Sequence, residues 1–395
     1  MPALDHIFVL DFTRVLSGPY CTMLLADLGA RVVKIEAPGR GDDTRAWGPP
    51  FTAGESAYFL SINRNKESLT LDLKHPDARP ILDALIARAD VIVENFRPGT
   101  MARLGLDYET IAARHPRVVY CSISGFGQTG PRRGEAGYDA IMQGEGGLMS
   151  ITGDPEGPAF RLGVAIADIT TGMFAAQGIL AALLARERDG RGQRVDIAML
   201  DSVAALLTYQ AGIYFASGET PRRMGNRHPT IVPYETFAAA DGDFVLAVGN
   251  DDQFRRFCAA LGLDEIAADA RFATNPDRVR HYAELKPRLD AVFQPRRRVD
   301  IMDALAAAGV PCGAVRTVAD TLADPQLAAR DMIATLPHPT AGDVRLLGSP
   351  VKLSRTPPAV RSAPPTLGQH TKDILSRDVG LSEEAIATLR SAGVI

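Results

Sequence analysis

The stretch "IFVLDFTRVLSGPYCTMLLADLGARVVKIEAP" (residues 7–38) decides the fold. Its first six residues are an apolar run typical of a buried strand, and residues 18–29 carry apolar positions at helical spacing up to a glycine. Residues 31–38 then form a second apolar run. A strand, a helix and a second strand joined by short turns predict two parallel strands with a crossover helix.

The same alternation continues toward residue 124. Further strand and helix patterns lie at 67–73, 78–90, 91–96 and 117–124. They extend the predicted parallel sheet, so we expect an α/β fold with a Rossmann-like large domain over residues 1–200.

Three further segments follow from changes in periodicity. A helical pattern over 201–224 is expected to link the large domain to the rest of the chain. Residues 225–325 contain a hairpin pattern over 234–249, then helical segments and a short strand, which predicts a smaller α+β domain. Residues 326–395 are rich in proline and are expected to be extended up to a final helix.

The composition excludes several classes of function. The chain has 395 residues, a net charge of −4 and 46% apolar residues, so it lacks the positive charge that attracts nucleic acid or an anionic membrane. The four cysteines lie far apart without a C-x-x-C pair, so we expect neither a disulfide framework nor a metal site. Because we also expect neither a signal peptide nor a membrane span, the sequence predicts a cytoplasmic protein.

One motif suggests a dinucleotide site. Gly125, Gly127 and Gly130 have the G-x-G-x-x-G spacing directly after the apolar run "VVYCSIS". A working fingerprint needs a helix to begin at the motif, so that its N-terminus faces the pyrophosphate. Here Pro131 and more glycines follow, and no helical periodicity resumes nearby. A nicotinamide-dependent oxidoreductase is therefore disfavoured, although Glu36 stands where a ribose-binding acid belongs.

The glycine-rich passage over 125–163 is followed by a candidate reactive residue. Asp168 stands just before the long helical pattern of 169–190. Aspartate is a favoured N-cap, because its side chain accepts a hydrogen bond from a backbone N–H of the first turn. A carboxylate beside glycine-rich loops is also a candidate nucleophile or base. From the residues alone both interpretations stay open.

At these residues the chain resembles a known family. The matching stretches include "VLDFTRVLSGPYCTMLLADLGARVVKIEAP", "NRNKESLTLDLK", "VIVENFRPG", "SISGFGQTGP", "ADITTGM" and "GRGQRVDIAMLD". They are similar to those of class III CoA-transferases of the CaiB/BaiF type, which include formyl-CoA transferase. The resemblance implies a homodimer of two interlocked rings in which residues 326–395 return to the large domain. It also implies coenzyme A and acyl-CoA as substrates, with no tightly bound cofactor.

The resemblance gives Asp168 the central role. Its carboxylate would attack an acyl-CoA thioester to form a mixed anhydride and CoA thiolate, which then forms an aspartyl-CoA thioester. The acid of the donor would depart, and an acceptor acid would take its place. The acceptor would then leave as its CoA thioester. The implied activity is CoA transfer from a short acyl-CoA, with succinyl-CoA as the expected donor, to a small carboxylic or dicarboxylic acid.

The same resemblance implies a path for CoA along the large domain. The residues that it assigns to CoA are Val15, Leu16, Leu71, Lys74, Asn95, Phe96 and Arg103. Formyl-CoA transferase has Gln at the position of Leu16 and Arg at that of Ala37, and Arg40 is the expected replacement for that arginine. Because of these departures, formate and oxalate are expected to be poor substrates.

The acceptor site is predicted from a tyrosine and a pool of cations. Related racemases carry His in a GHD motif, whereas this chain has Gly137-Tyr138-Asp139. Tyrosine is a poor base at neutral pH, so transfer is favoured over racemisation and Tyr138 is expected to orient the substrate. The cations available for a carboxylate clamp are Arg14, Arg45, Arg133, Arg161, Arg227 and His228, from which we select Arg45 and His228.

Three alternatives to transfer between two molecules stay open. Transfer between the two carboxyl groups of one diacid would leave every motif unchanged. A 2-methylacyl-CoA racemase or epimerase would exchange an α-proton without an acceptor. A noncatalytic acyl-CoA-binding protein would tolerate the loss of Asp168, which the transferases would not.

Overall fold

The computed structural model describes all 395 residues and separates them into two compact units. The first comprises Met1–Leu148, Arg161–Ala216 and Pro325–Ile395. The second comprises Met149–Phe160 and Ser217–Asp324. The chain therefore returns to the first unit after building the second.

The first unit contains the large sheet. Up to residue 216 the strands are β1 (Phe8–Asp11), β2 (Arg31–Glu36), β3 (Phe51–Thr52), β4 (Glu55–Ser56), β5 (Lys66–Thr70), β6 (Val91–Glu94), β7 (Val119–Ser124) and β8 (Arg194–Ala198). Six of them form one parallel sheet in the order β5-β2-β1-β6-β7-β8, and β3 pairs with β4. This is the strand order of the Rossmann fold, so the predicted α/β class with a Rossmann-like parallel sheet is confirmed.

Helices cover both faces of this sheet. In chain order up to residue 217 they are α1 (Ser17–Asp27), α2 (Ala57–Ile62), α3 (Ala78–Ile86), α4 (Thr100–Arg103), α5 (Tyr108–Arg114), α6 (Asp139–Glu145), α7 (Leu148–Ile151), α8 (Ile166–Asp189), α9 (Met199–Leu206) and α10 (Thr208–Ser217). One apolar core joins the strands to α3 and α5, and another joins them to α1 and α8. Burial on both faces explains why the strands read as continuous apolar runs.

Two details of the helices differ from the sequence expectations. The single helical pattern expected over 201–224 is divided between α9 and α10, with Leu207 at the junction, and the helical part ends at Ser217. By length and composition alone α8 qualifies as a membrane span, which the apolar pattern did not indicate. Half of its most apolar window is buried inside the protein, where α8 packs against α1 and β7.

The second unit is built on a three-stranded antiparallel sheet. Its strands are β9 (Tyr234–Ala239), β10 (Gly242–Ala247) and β11 (Cys312–Ala314), in the order β11-β10-β9. Its helices are α11 (Asp251–Leu261), α12 (Asp264–Ala267), α13 (Asn275–Arg280), α14 (Tyr282–Phe293), α15 (Arg298–Ala307) and α16 (Val318–Leu322). The hairpin predicted over 234–249 is confirmed, because β9 and β10 pair directly.

The C-terminal segment is more structured than its proline content suggests. It contains α17 (Pro325–Ala329), β12 (Ile333–His338), β13 (Gly342–Leu347), α18 (Thr371–Ile374) and α19 (Glu383–Ser391). The expectation of an extended tail is wrong for α17 and α18, and it did not include the pairing of β12 with β13 as a hairpin. The tail is fixed to the sheet partly by an ion pair of 2.6 Å between Arg31 Nη2 and Asp378 Oδ2.

Candidate active site

Two cavities of the first unit lie where the sheet reverses its strand order. That reversal falls between β1 and β6, and in open parallel sheets ligands bind beyond the carboxyl ends of the strands at this point. One cavity, of about 180 Å³, contains Asp168 and is called here the Asp168 cavity. The other, of about 360 Å³, is called the Lys74 cavity. Arg14 and Phe96 line both, so the cavities adjoin at these two side chains.

Five of the seven residues that the resemblance assigned to CoA line these cavities. Val15 and Asn95 line the Asp168 cavity, Leu71 and Lys74 line the Lys74 cavity, and Phe96 lines both. The cavities therefore bring together side chains that lie up to about eighty positions apart in the sequence.

Leu16 and Arg103 line neither cavity. Leu16 is buried in an apolar cluster with Met23 and Ile62. Arg103 is exposed, and its Nη2 donates a hydrogen bond of 3.1 Å to Thr100 Oγ1. In the structure Leu16 is therefore a packing residue and Arg103 is a surface residue.

Asp168 is not the N-cap of its helix, so that interpretation is wrong. It is the third residue of α8, and Ala165 occupies the N-cap position without a side-chain hydrogen bond. Asp139 performs the capping instead, because its Oδ1 accepts the backbone N–H of Ala167 at 2.9 Å. Its Oδ2 accepts Gln143 Nε2 at 2.8 Å. Asp168 is thereby left available to the cavity.

The Asp168 carboxylate lies near the first residue of α1. The hydroxyl and the backbone N–H of Ser17 are close enough to act on the carboxylate and to favour its ionised form. The two helices approach closely because α8 has Gly172 at the contact, where a Cβ atom would lie 2.6 Å from the carbonyl oxygen of Ser17. Sequence reasoning missed Ser17, although it stands in the matched stretch "TRVLSGP".

The electrostatic surroundings of Asp168 are unusual for a partly buried carboxylate. Burial raises the pKa of Asp168 to about 7, and the negative charge of Asp139 acts in the same direction. The polar groups of Ser17 oppose this rise in pKa, and no cation does. Near neutral pH the carboxylate is therefore partly ionised, and its negative charge is not neutralised by a salt bridge.

The loop between β1 and α1 is held in a strained conformation. Val15 has a φ of +67°, a left-handed conformation that is rare for a β-branched residue. Its N–H donates to Asp42 Oδ1 at 3.2 Å. The Asn95 side chain accepts the N–H of Arg14 at 2.8 Å and donates to the carbonyl of Arg14 at 2.7 Å. These contacts fix the loop that presents Val15 and Ser17 to the cavity.

A buried ionic network lies beneath this loop. Lys34 Nζ lies 2.8 Å from Asp42 Oδ2, and Lys66 Nζ lies 3.1 Å from Asp11 Oδ2. Burial alone would raise the pKa of Asp42, but Lys34 lowers it to about 2. Lys34 also donates to the carbonyl of Thr13 at 2.8 Å. The network therefore connects the strands of the sheet to the loop, which the separate sequence positions do not reveal.

Comparison with known proteins identifies the family. The sequence model of the family described as CoA-transferase family III matches residues 4–371. The chain belongs to this family. It is a class III CoA-transferase, as the resemblance of its motifs predicts.

Relatives match this CoA-transferase over most of their length. It is 43% identical to a succinate–glutarate CoA-transferase of Agrobacterium fabrum, with 95% of each chain covered. It is also 43% identical to an acetyl-CoA:oxalate CoA-transferase of Acetobacter aceti, with 89% of each chain covered. Among solved structures, a CaiB/BaiF family protein from Brucella suis matches with a TM-score of 0.85 and 43% identity, covering 95% of this chain and 99% of that one.

In this CoA-transferase the first glycine of the glycine-rich motif allows two segments of the backbone to pass very close to each other. A Cβ atom on Gly137 would lie 2.4 Å from the Cα atom of Gly125, so the loop can cross the end of β7 only with glycine at both positions. The next helix, α6, begins at Asp139. No helix therefore begins at the motif, which confirms that it is not a dinucleotide fingerprint.

Tyr138 lies at the edge of the Asp168 cavity. It occupies the N-cap position of α6, lines the cavity and is 62% exposed. Tyr138 therefore belongs to the lining of the cavity that contains Asp168.

Arg45 and Glu36 form a bidentate ion pair with each other. Arg45 Nε and Nη2 both donate to the Glu36 carboxylate at 2.8 Å. The Arg45 guanidinium also stacks 3.7 Å above the ring of Phe59 and donates to the carbonyl of Pro365 at 3.2 Å. With these partners Arg45 is not placed as an acceptor clamp, and Glu36 is not placed to bind a ribose.

His228 belongs to the second unit. Its ring stacks on Tyr234 at 5.3 Å between centroids, and burial lowers the pKa of His228. It is therefore largely neutral near pH 7, which disfavours the role of a carboxylate-binding cation. No group of three or more His, Cys, Asp or Glu side chains in the chain is placed to hold a metal ion.

Proposed function

We propose that this enzyme transfers CoA from succinyl-CoA to a short dicarboxylic acid, with glutarate as the first acceptor to test. The names of the two relatives at 43% identity contain succinate, glutarate and oxalate, which are all dicarboxylic acids. The common feature of these acids is a second carboxyl group that does not react. Oxalate, expected to be poor from the motif departures, belongs in the test because one relative is named for it.

The single observation that carries the proposal is the state of Asp168. Its carboxylate lies in a cavity, and no salt bridge neutralises its charge. A carboxylate without a salt bridge and with a pKa of about 7 is more nucleophilic than an ordinary surface aspartate. The polar groups of Ser17 favour the ionised form of the carboxylate without neutralising its charge.

The proposed reaction proceeds through two covalent states of Asp168. A carboxylate oxygen attacks the thioester carbonyl carbon, the C–S bond breaks, and CoA leaves as the thiolate. The thiolate then attacks the Asp168 carbonyl carbon of the mixed anhydride and releases succinate, which gives an aspartyl-CoA thioester. The acceptor carboxylate repeats these steps in reverse order, so that acceptor-CoA leaves and the Asp168 carboxylate is restored.

The two adjoining cavities supply a path for the donor. Lys74 and Arg40 line the Lys74 cavity, and cations of this kind suit the phosphate-bearing end of CoA. From there the pantetheine arm would pass Arg14 and Phe96, which line both cavities. The thioester would then reach Asp168 beside Val15.

The direct test is a transfer assay in which acyl-CoA products are separated by chromatography. The enzyme is incubated with succinyl-CoA and, in separate reactions, glutarate, oxalate, mesaconate or no acceptor. We expect glutaryl-CoA and an equal amount of succinate. Exchange of an α-proton of a 2-methylacyl-CoA in deuterated buffer, without transfer to any acid, would instead establish the racemase.

We also propose that the enzyme is a homodimer. Helix α10 carries no buried residue in the single chain, although it is largely apolar. Phe215 is 82% exposed and Tyr214 is 48% exposed. Apolar side chains grouped on one helix favour an interface. Light scattering during size-exclusion chromatography should give twice the mass of the chain, and a monomer at micromolar concentration would contradict this. The cytoplasmic location stays a prediction.

A further inference from the structure

The Asp168 cavity contains two cations. They are Arg14 and Arg97, and its acids are Asp43, Glu135 and Asp168. A dicarboxylic substrate that reacts at Asp168 brings a second carboxylate into a site that already holds three acids. Because an unpaired charge is costly to remove from water, that second carboxylate requires one of the two arginines.

Arg14 is the better placed of the two. Its backbone N–H and carbonyl are both held by Asn95, so the origin of the side chain is fixed. Its guanidinium carbon lies 5.1 Å from the centre of the Phe96 ring, a stacking distance that limits its rotamers. Arg97 is exposed. No residue fixes its guanidinium by a hydrogen bond or an ion pair within 4 Å.

The donors of Arg14 remain available to a ligand. Its guanidinium makes no hydrogen bond within the protein, and its one ion pair, from Nη1 to Asp43 Oδ2, is 3.5 Å long. Both side chains of that pair are more than two-fifths exposed, so the pair is weak. A substrate carboxylate can replace it with a bidentate contact.

One such contact would serve both halves of the reaction. The donor acyl group and the acceptor each become attached to Asp168 in turn, so their remote carboxylates reach the same part of the cavity. On the basis of the proposed function, we infer that Arg14 binds the remote carboxylate of the donor acyl group and of the acceptor. Arg14 thereby makes the enzyme selective for dicarboxylic over monocarboxylic substrates.

The experiment compares two donors that differ only in the remote carboxylate. Succinyl-CoA and butyryl-CoA are each given to the enzyme with hydroxylamine as the trapping nucleophile. Because trapping of Asp168 ends the reaction after one turnover, the second-order rate constant for CoA thiol release in that single turnover is measured and taken as kcat/KM for the donor. The variants are Arg14→Gln, Arg97→Gln and, as the matched control, Arg345→Gln. Arg345 is an exposed arginine of β13 that lines neither cavity. Binding of free CoA and the melting temperature are measured for each protein.

We expect R14Q to lower kcat/KM for succinyl-CoA by about 30-fold, the typical effect of one charged hydrogen-bonded pair. The value for butyryl-CoA, where it is measurable, and the affinity for free CoA should change less than about threefold. R345Q should leave both kcat/KM values and the affinity for free CoA unchanged.

Three results would overturn the assignment while the wild type uses succinyl-CoA. In the first, R14Q would leave kcat/KM for succinyl-CoA unchanged. In the second, R14Q would lower kcat/KM for succinyl-CoA, kcat/KM for butyryl-CoA and the affinity for free CoA by similar factors, which would assign Arg14 to CoA binding. In the third, R97Q and not R14Q would lower kcat/KM for succinyl-CoA without lowering kcat/KM for butyryl-CoA. A wild type that releases no CoA from succinyl-CoA would instead overturn the proposed function, and this inference with it.

Discussion

Two aspartates beside the same loop have opposite surroundings. Asp42 accepts the N–H of Val15 and pairs with Lys34 at 2.8 Å, and its pKa is lowered to about 2. Asp168 lies near the polar groups of Ser17 without an ion pair, and burial raises its pKa to about 7. The same residue type is therefore fixed as a permanent anion on one side of the loop and kept as a titratable group on the other.

Other buried acids of the first unit resemble Asp42 in this respect. Asp27 pairs with Arg64 at 2.6 Å, and Glu36 pairs with Arg45 at 2.8 Å. Not every buried acid has such a partner, because Glu94 is buried without an ion pair and its pKa is also raised to about 7. Asp168 differs from Glu94 in lining a cavity, and a carboxylate with a raised pKa in a cavity is a candidate for chemistry.

The largest expected effect is on activity at Asp168. Replacing it in Asp168→Asn removes the nucleophile and keeps the shape, so kcat for transfer should fall on the order of 10⁴-fold. The assay is glutaryl-CoA formation from succinyl-CoA. Asp343→Asn, an exposed residue of β13, is the control and should be unchanged. A residual activity above about one percent would show that Asp168 does not form the essential covalent intermediate.

The next effect is on stability at the paired aspartate. Lys34→Met leaves Asp42 buried without its cation, which should cost about 3–5 kcal/mol of unfolding free energy. Urea unfolding at a fixed protein concentration measures this, with the exposed Lys352→Met as control. A loss below about 1 kcal/mol would show that the pair does not support the fold.

A smaller effect of opposite sign is expected for Asp168→Asn. Because the folded pKa of Asp168 lies above its unfolded value near 3.8, ionising it costs stability as the pH rises from about 4 to above 7. The variant should therefore be more stable than the wild type by about 1 kcal/mol at pH 8, after allowance for partial exposure and for the lost interaction with Ser17. The gain should shrink as the pH falls and disappear below the unfolded pKa near 3.8, and an equal gain at pH 8 and at pH 3.5 would contradict the raised pKa.

The smallest effect concerns the acid limb of the pH profile. Since transfer needs the carboxylate, kcat/KM should rise through a pKa of about 7. The groups that face Asp168 are Ser17, Asp139 and Tyr58, whose own pKa is raised to about 12, so Tyr58 stays neutral. Asp139→Asn keeps an oxygen to cap α8 but removes the negative charge, which should move the acid limb to lower pH. A limb that stays in place or moves upward would contradict this coupling.

The sequence predicted the fold well where burial controls it. The apolar runs of β1 and β2 with the helical spacing of α1 predicted the parallel sheet, because continuous apolar runs report strands buried on both faces. The hairpin of β12 and β13 was missed because Pro337 interrupts the strand pattern and proline is tolerated in an edge pairing.

The site was predictable in its residues but not in their partners. The resemblance of the motifs pointed to Asp168 and to five residues that line the two cavities, whereas the cap that Asp139 provides to α8 joins residues 28 positions apart. Arg45 was misjudged because its bidentate partner, Glu36, reads from the sequence as the end of a strand. The periodicity of a sequence indicates which face of a helix or strand is buried. It does not indicate which buried charged side chains pair with each other.

The most direct test of the central claim is the intact mass of the enzyme after incubation with succinyl-CoA and hydroxylamine, for the wild type and for Asp168→Ala. An activated Asp168 should be trapped as its hydroxamate, so the account predicts a mass gain that maps to the peptide containing Asp168 in the wild type alone. If the wild type forms glutaryl-CoA but shows no adduct, or if the adduct maps to another residue, Asp168 is not the covalent carrier.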